Sequence, residues 1–134
     1  MLLSPFEFKK MKNWLLLGTA LFSLLIIAIV IGANADMFPR PLEQLIDFPG
    51  ADKAGHFFLF GILSFLSNKS ALSLFPNQNS TRLVLIVSLL LTILIGLEEW
   101  SQSLFPARTM SITDLIASYI GVAVFAILAY KTGI

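Results

Sequence analysis

The sequence predicts an all-α polytopic integral membrane protein, a bundle of four transmembrane helices that forms a single domain over residues 1–134. Two observations lead to this fold class. The chain is 57% hydrophobic and only 13% charged, against roughly 25% charged residues in an ordinary soluble domain. Its apolar residues also fall into four long runs, and roughly 20 such residues cross a bilayer.

The four runs define the predicted helices, which cover these ranges: about 14–33, 54–75, 82–100 and 112–130. The first run follows three lysines, and Pro49 and Gly50 separate it from the second, since both residue types interrupt helices. A polar turn over residues 76–80 comes before the third run. The fourth opens at Ser111, because Ser111-Ile112-Thr113-Asp114 matches a capping box, with a hydroxyl at the cap and a carboxylate three residues later.

Two stretches have alternative interpretations. Ala33-Asn34-Ala35 after an apolar run resembles a signal-peptide cleavage site, but this run of about 20 residues exceeds the 7 to 15 residues of the apolar region in a typical signal peptide. A retained helix is therefore expected, and cleavage would leave three helices. Between the first two helices, Leu42, Leu45 and Ile46 recur at helical spacing, which fits either a short amphipathic turn at the membrane interface or an irregular loop.

Orientation follows from the basic residues, since Lys and Arg in short loops tend to stay on the cytoplasmic side. Six cations lie before the first helix, between the second and third, and after the fourth, and three lie in the other two loops. We therefore expect an integral protein of the cell membrane with both termini in the cytoplasm.

The loops expected outside the cytoplasm border an unusual set of ionisable side chains. Asp52, Lys53 and His56 begin the second helix, and their spacing of three and four residues places them on one helical face. Glu98 and Glu99 end the third helix, where the helix dipole disfavours acids.

The simplest compensation is that the cations of the second helix meet the acids of the third, with Arg108 as an alternative partner. Ionisable groups near the bilayer usually face the bundle interior, pair with one another and mark functional sites. In the fourth helix, Asp114, Ser118 and Gly121 share one face. Asp114 is expected to cap its helix and to hold Arg108.

Two polar motifs resemble those of VanZ-like membrane proteins. Residues 52–57 are similar to the family's Asp-Lys-x-x-His motif, and the second motif is matched at these positions: Glu99, Trp100, Ser101, Gln102, Phe105, Pro106, Arg108, Ser111, Asp114 and Gly121. The resemblance extends over about residues 14–130. One position departs from the family pattern, which usually has Asn where this chain has Ser118. A serine hydroxyl can keep a single hydrogen bond but lacks the two-sided amide.

The resemblance implies a polar site at the extracytoplasmic face that acts on or binds an envelope glycan or a lipid-linked component. The family is named after a membrane protein associated with teicoplanin resistance in glycopeptide-resistance clusters, and its members are thought to act at the cell envelope. The resemblance implies neither a reaction nor antibiotic resistance for this chain.

Two classes of function stay open, and the sequence does not decide whether the protein is an enzyme. In the first, His56 and Glu99 form a proton-transfer pair, because imidazole titrates near neutrality and a carboxylate can orient it. The alternative is a non-catalytic module that recognises an anionic headgroup or a glycopeptide-type compound. In both, the expected binding residues are the following: Asp52, Lys53, Gln102, Arg108, Ser111, Asp114 and Ser118.

No cofactor and no metal are predicted. The chain has one histidine and no cysteine, so paired-histidine and thiolate metal sites are excluded. The basic residues are scattered, which argues against a nucleic-acid surface. The expected partners are the lipid bilayer and an envelope glycan or lipid-linked precursor, and the sequence is compatible with an oligomer.

Overall fold

A computed structural model gives the structure of residues 2–39 and 49–133. Its regular structure is helical and comprises the following elements: α1 (Pro5–Asn34), α2 (Ala51–Leu74), α3 (Ser80–Ser101), a single 3₁₀ turn (Gln102–Leu104) and α4 (Ile112–Thr132). All four α-helices are long and apolar enough to cross a membrane. The predicted all-α four-helix bundle is confirmed, and the chain is a multi-pass membrane protein.

Local caps set the helix ends more than hydropathy does. The α1 helix begins well before the predicted start near residue 14, because Ser4 and Glu7 form a complete capping box and Pro5 occupies the first turn. Asn79 caps α3, with its side chain accepting the Arg82 N–H at 2.9 Å. Residues 42–46, for which the sequence fits either an interfacial turn or an irregular loop, lie outside the described residues.

The α2 and α4 helices run parallel and pack closely against each other. The Ser64 hydroxyl donates to the Val122 carbonyl at 2.9 Å, and nearer the helix starts His56 contacts Ser118. Glycine permits the close approach: a Cβ at Gly121 would collide with the Phe57 backbone, and a Cβ at Gly61 would collide with the Phe125 ring. The tight pairing brings the first turns of α2 and α4 side by side.

The α1 helix lies against α2 and barely touches α3 and α4 within the described ranges. The Thr19 hydroxyl connects α1 to α2, because its oxygen lies 2.7 Å from Ser70 Oγ and 3.2 Å from the Leu66 carbonyl oxygen. A gap therefore remains between α1 and α3 with α2 as its floor. We call this gap the trough, and residues from all three helices line it.

Candidate functional site

The structure brings the predicted site residues to one end of the bundle, where most of them form two clusters. The Asp114 cluster joins the start of α2 to the start of α4 and contains Lys53, His56, Asp114 and Ser118. The Glu99 cluster joins the end of α3 to the loop before α4 and contains Glu98, Glu99, Gln102, Arg108 and Ser111. Asp52 belongs to neither cluster, and its exposed side chain borders the trough.

Asp114 is the common partner in its cluster. Its carboxylate oxygens lie 3.6 Å from Lys53 Nζ and 3.8 Å from His56 Nε2. The other ring nitrogen of His56 lies 3.1 Å from Ser118 Oγ, so side chains of α4 lie beside both ring nitrogens. The Ser118 contact is within hydrogen-bond distance, whereas the Asp114 contact is longer. Lys53 is about half exposed, and solvent screening weakens its ion pair. The better-fixed group of this cluster is therefore the His56 ring.

Among the described residues at this end of the bundle, Glu99 has the most buried carboxylate, with 1% of its surface exposed. One oxygen accepts the Ser111 backbone N–H at 2.8 Å, and the other accepts from Gln102 Nε2 at 3.1 Å. A buried carboxylate needs such donors, since an unsatisfied charge is costly in a low dielectric. Neutral donors thus stabilise Glu99 in place of a cation.

Arg108 links the Glu99 cluster to α1. Its Nη2 lies 3.9 Å from Glu98 Oε1, and its Nη1 donates to Asn34 Oδ1 at 3.1 Å. Glu98 also accepts from Gln102 Nε2 at 3.0 Å. The hydrogen bond between Arg108 and Asn34 connects the end of α1 to the loop that precedes α4.

These contacts correct three of the predicted pairings. The α2 cations meet Asp114 of α4 rather than the acids of α3, because α2 packs much more closely against α4. Arg108 is held by Glu98 and Asn34 rather than by Asp114. Within residues 2–39 and 49–133, no hydrogen bond or ion pair connects His56 to Glu99. The alternative prediction, that Arg108 pairs with an acid of α3, is confirmed by its contact with Glu98.

The trough consists of two adjoining cavities of about 640 Å³ and 350 Å³ that share Ile26, Val30, Phe60 and Glu98. Apolar side chains form its walls. Four polar residues lie at the end of the trough beside the two clusters, which we call the rim: Asp52, His56, Glu98 and Arg108. The combination of a long apolar wall and a polar rim suits a molecule that is itself amphipathic.

A buried polar seam in the other half of α2 was not predicted from the sequence. It consists of Ser64, Asn68, Ser70 and Ser73, each at most 5% exposed. The i, i+4 spacing of Ser64 and Asn68 within an apolar run was a usable signal, since polar groups in membrane helices usually turn toward the bundle. Asn68 Nδ2 donates to the Ser64 carbonyl at 2.9 Å, whereas Asn68 Oδ1 has no hydrogen-bond partner among the described residues.

No family model, curated protein or solved structure matches this chain. The resemblance to VanZ-like proteins therefore stays a prediction from the two motifs.

Proposed function

We propose that this chain is a VanZ-like protein of the cell membrane that binds a lipid-linked component of the cell envelope. The apolar chain of this ligand lies in the trough, and its polar head lies at the rim. The observation that carries the proposal is the trough itself, which combines apolar walls with a polar end.

The dimensions of the trough support a chain-like ligand. Its lining runs along α2 from Ala51 to Ser67, which corresponds to about 24 Å at 1.5 Å per helical residue. The hydrocarbon core of a bilayer is roughly 30 Å thick. A single acyl or prenyl chain fits along this length, parallel to the helices. The larger cavity of about 640 Å³ also falls within the roughly 300–1,000 Å³ range of small-molecule sites.

The chemistry of the rim supports a head that carries both hydroxyl and phosphate groups. Asp52 and Glu98 can accept hydrogen bonds from sugar hydroxyls, and Arg108 can donate to a phosphate. His56 also lines this cavity, and its Nε2, which lies 3.8 Å from Asp114 and so beyond hydrogen-bond distance, can bond to a head group. These groups fit a glycosyl or phosphoryl head better than a purely apolar one.

A catalytic function has one observation in its favour. A carboxylate beside a histidine can orient the ring for proton transfer, and the carboxylate nearest His56 is Asp114. Glu99 is committed to Ser111 and Gln102. If the site carries out chemistry, we therefore propose His56 and Asp114 as the pair, in place of His56 and Glu99. The alternative to a lipid-linked ligand is a non-catalytic module that recognises an anionic headgroup or a glycopeptide-type compound.

A photoreactive prenyl phosphate, with a diazirine in its chain, tests the proposed ligand class. In purified protein we expect saturable cross-links to residues of α1, α2 and α3 that line the trough. Excess unlabelled prenyl phosphate should remove these cross-links, whereas excess dioleoyl phosphatidylcholine should not. Equal competition by both lipids would show that the trough holds bulk lipid, which contradicts the proposal.

Gly55→Leu provides the matched variant for this assay. Gly55 lines the trough, and a Cβ there meets no atom within 4 Å, so the new side chain fills space without a clash. We expect roughly tenfold weaker cross-linking, because an obstructed pocket loses about 1.4 kcal/mol of binding free energy. Gly18→Leu is the control, since Gly18 is equally uncrowded and lies outside the trough lining. Similar losses in both variants would contradict the placement of the ligand.

A further inference from the structure

The two helices that begin with a serine cap, α1 and α4, differ in one hydrogen bond. At the start of α1, the Ser4 hydroxyl accepts the Glu7 N–H at 3.2 Å, and the Glu7 carboxylate accepts the Ser4 N–H at 2.9 Å. This is a complete capping box, in which the acid of the helix's own first turn binds the cap residue. The Glu7 carboxylate is thereby engaged locally.

At the start of α4 only half of the box is present. The Ser111 hydroxyl accepts the Asp114 N–H at 3.3 Å. The Ser111 N–H, however, donates to the Glu99 carboxylate at 2.8 Å. A residue of α3 thus takes the position that the α4 acid occupies in a complete box.

The displaced acid is the one that faces α2. Since Glu99 satisfies the Ser111 N–H, the Asp114 carboxylate is directed to Lys53 and His56. Ser118, one turn further along α4, contacts the second nitrogen of the same ring. The Ser111 N–H thus has a carboxylate partner from α3, and the acid of α4 contacts side chains of α2.

Glu99 is well placed to hold this arrangement. Its side chain is 1% exposed, and Gln102 fixes the second carboxylate oxygen at 3.1 Å. Gln102 is itself 3% exposed and also donates to Glu98. The carboxylate thus has little freedom to leave Ser111.

We propose that Glu99 is a positioning residue. It binds the Ser111 N–H from the neighbouring helix, so that Asp114 is kept out of its own capping box and holds the His56 ring toward the trough. The role of His56 toward a ligand rests on the proposed function, whereas the arrangement of the three side chains does not.

The single histidine of the chain makes the test specific. Protein labelled with ¹⁵N-histidine gives signals from the His56 ring alone, and their chemical shifts report its tautomer and hydrogen bonds. Carbethoxylation by diethyl pyrocarbonate, followed by mass spectrometry, reports how freely the ring reacts. Both measurements use the full chain in detergent without added lipid, so their outcome is independent of the cross-linking result.

In Glu99→Leu we expect Asp114 to turn back to the Ser111 N–H. The His56 ¹⁵N shifts should change, and carbethoxylation should become roughly two- to fivefold faster, the factor that the loss of a weak charged contact gives. Glu99→Gln should behave like the unmodified protein, because its amide oxygen still accepts the Ser111 N–H. Glu7→Leu is the matched control, since it removes the acid of the other capping box, far from His56.

Circular dichroism establishes that each variant keeps its helical content. If Glu99→Leu loses helical content, Glu99→Asp replaces it, because this variant keeps the charge and shortens the reach to Ser111. Unchanged His56 signals in a folded Glu99→Leu or Glu99→Asp protein would overturn the proposal. A Glu99→Gln protein that behaves like Glu99→Leu would overturn it as well, since the charge would then matter and not the acceptor.

Discussion

At the scale of single residues, the buried polar groups differ in how completely they are hydrogen-bonded. Both oxygens of Glu99 have donors, and Ser64 both donates to Val122 and lies within reach of Asn68. Asn68, with no exposed surface, bonds through its nitrogen, whereas its oxygen has no partner within the described ranges. A buried acceptor without a donor costs about 1–3 kcal/mol, so the Asn68 side chain contributes little to stability.

We therefore predict that Asn68→Leu does not destabilise the protein. The two side chains have the same branching and the same number of non-hydrogen atoms, and the variant removes the unpaired oxygen, so the free energy of unfolding should rise by about 1 kcal/mol. Ser64→Ala is the comparison, since it removes a bonded hydroxyl and should lower the same quantity by about 0.6 kcal/mol. Unfolding in mixed detergent and denaturant measures both. A larger loss in Asn68→Leu than in Ser64→Ala would mean that the amide oxygen has a donor.

At the scale of secondary-structure elements, the α2–α4 pair organises the site. Parallel helices present the same ends to each other, so the first turns of α2 and α4 both lie at the polar end of the bundle. Small residues at the contact let their backbones approach, and Gly121 lies directly against the Phe57 carbonyl. The short distance between the two helices is what allows Asp114 to reach His56.

A graded response to alanine is expected at three glycines. In Gly121→Ala the new methyl group meets backbone, which cannot move locally, so the free energy of unfolding should fall by about 1–3 kcal/mol. Gly61→Ala should cost less, because its methyl group meets the Phe125 side chain, which can rotate. Gly18→Ala should cost nothing or stabilise by up to about 1 kcal/mol, the gain in helix propensity. Equal effects at all three would contradict the close packing of α2 on α4.

At the scale of the whole molecule, charge and polarity are distributed unevenly between the two ends of the bundle. The Asp114 and Glu99 clusters lie at the end that holds the start of α2 and the end of α3. Lysines are concentrated near the start of α1, at the other end, where Lys69 also donates to the Gly133 carbonyl at the end of α4. The distribution of basic residues predicts that the polar clusters face away from the cytoplasm.

Cysteine accessibility tests this orientation, because the chain has no cysteine of its own. Single cysteines at Met37 and Ala107 mark the polar end, and single cysteines at Gln78 and Thr132 mark the other, all at exposed positions. In intact cells we expect a membrane-impermeant thiol reagent to label the first pair and not the second. Labelling of the second pair alone would place the site in the cytoplasm and contradict an envelope ligand. Lysed cells, in which all four react, provide the control.

The number and order of the helices follow from the sequence alone, because a bilayer requires long apolar runs in which each backbone group bonds within its own helix. The sequence likewise determines that Lys53, His56, Glu99 and Asp114 lie near one end, since their distance along each helix fixes their depth. The capping role of Ser111 also follows from local spacing, and the structure confirms it.

The partners of these residues were decided only by the tertiary structure. Pairing depends on which helices are neighbours and how closely they approach, and a hydropathy pattern contains neither quantity. The close contact of α2 with α4 assigns His56 to Asp114, and the separation of α1 from α3 opens the trough. Glu99 accepts the Ser111 N–H because the fold places the end of α3 beside the start of α4. Local sequence determined the helices and their caps, and long-range packing selected the contacts between them.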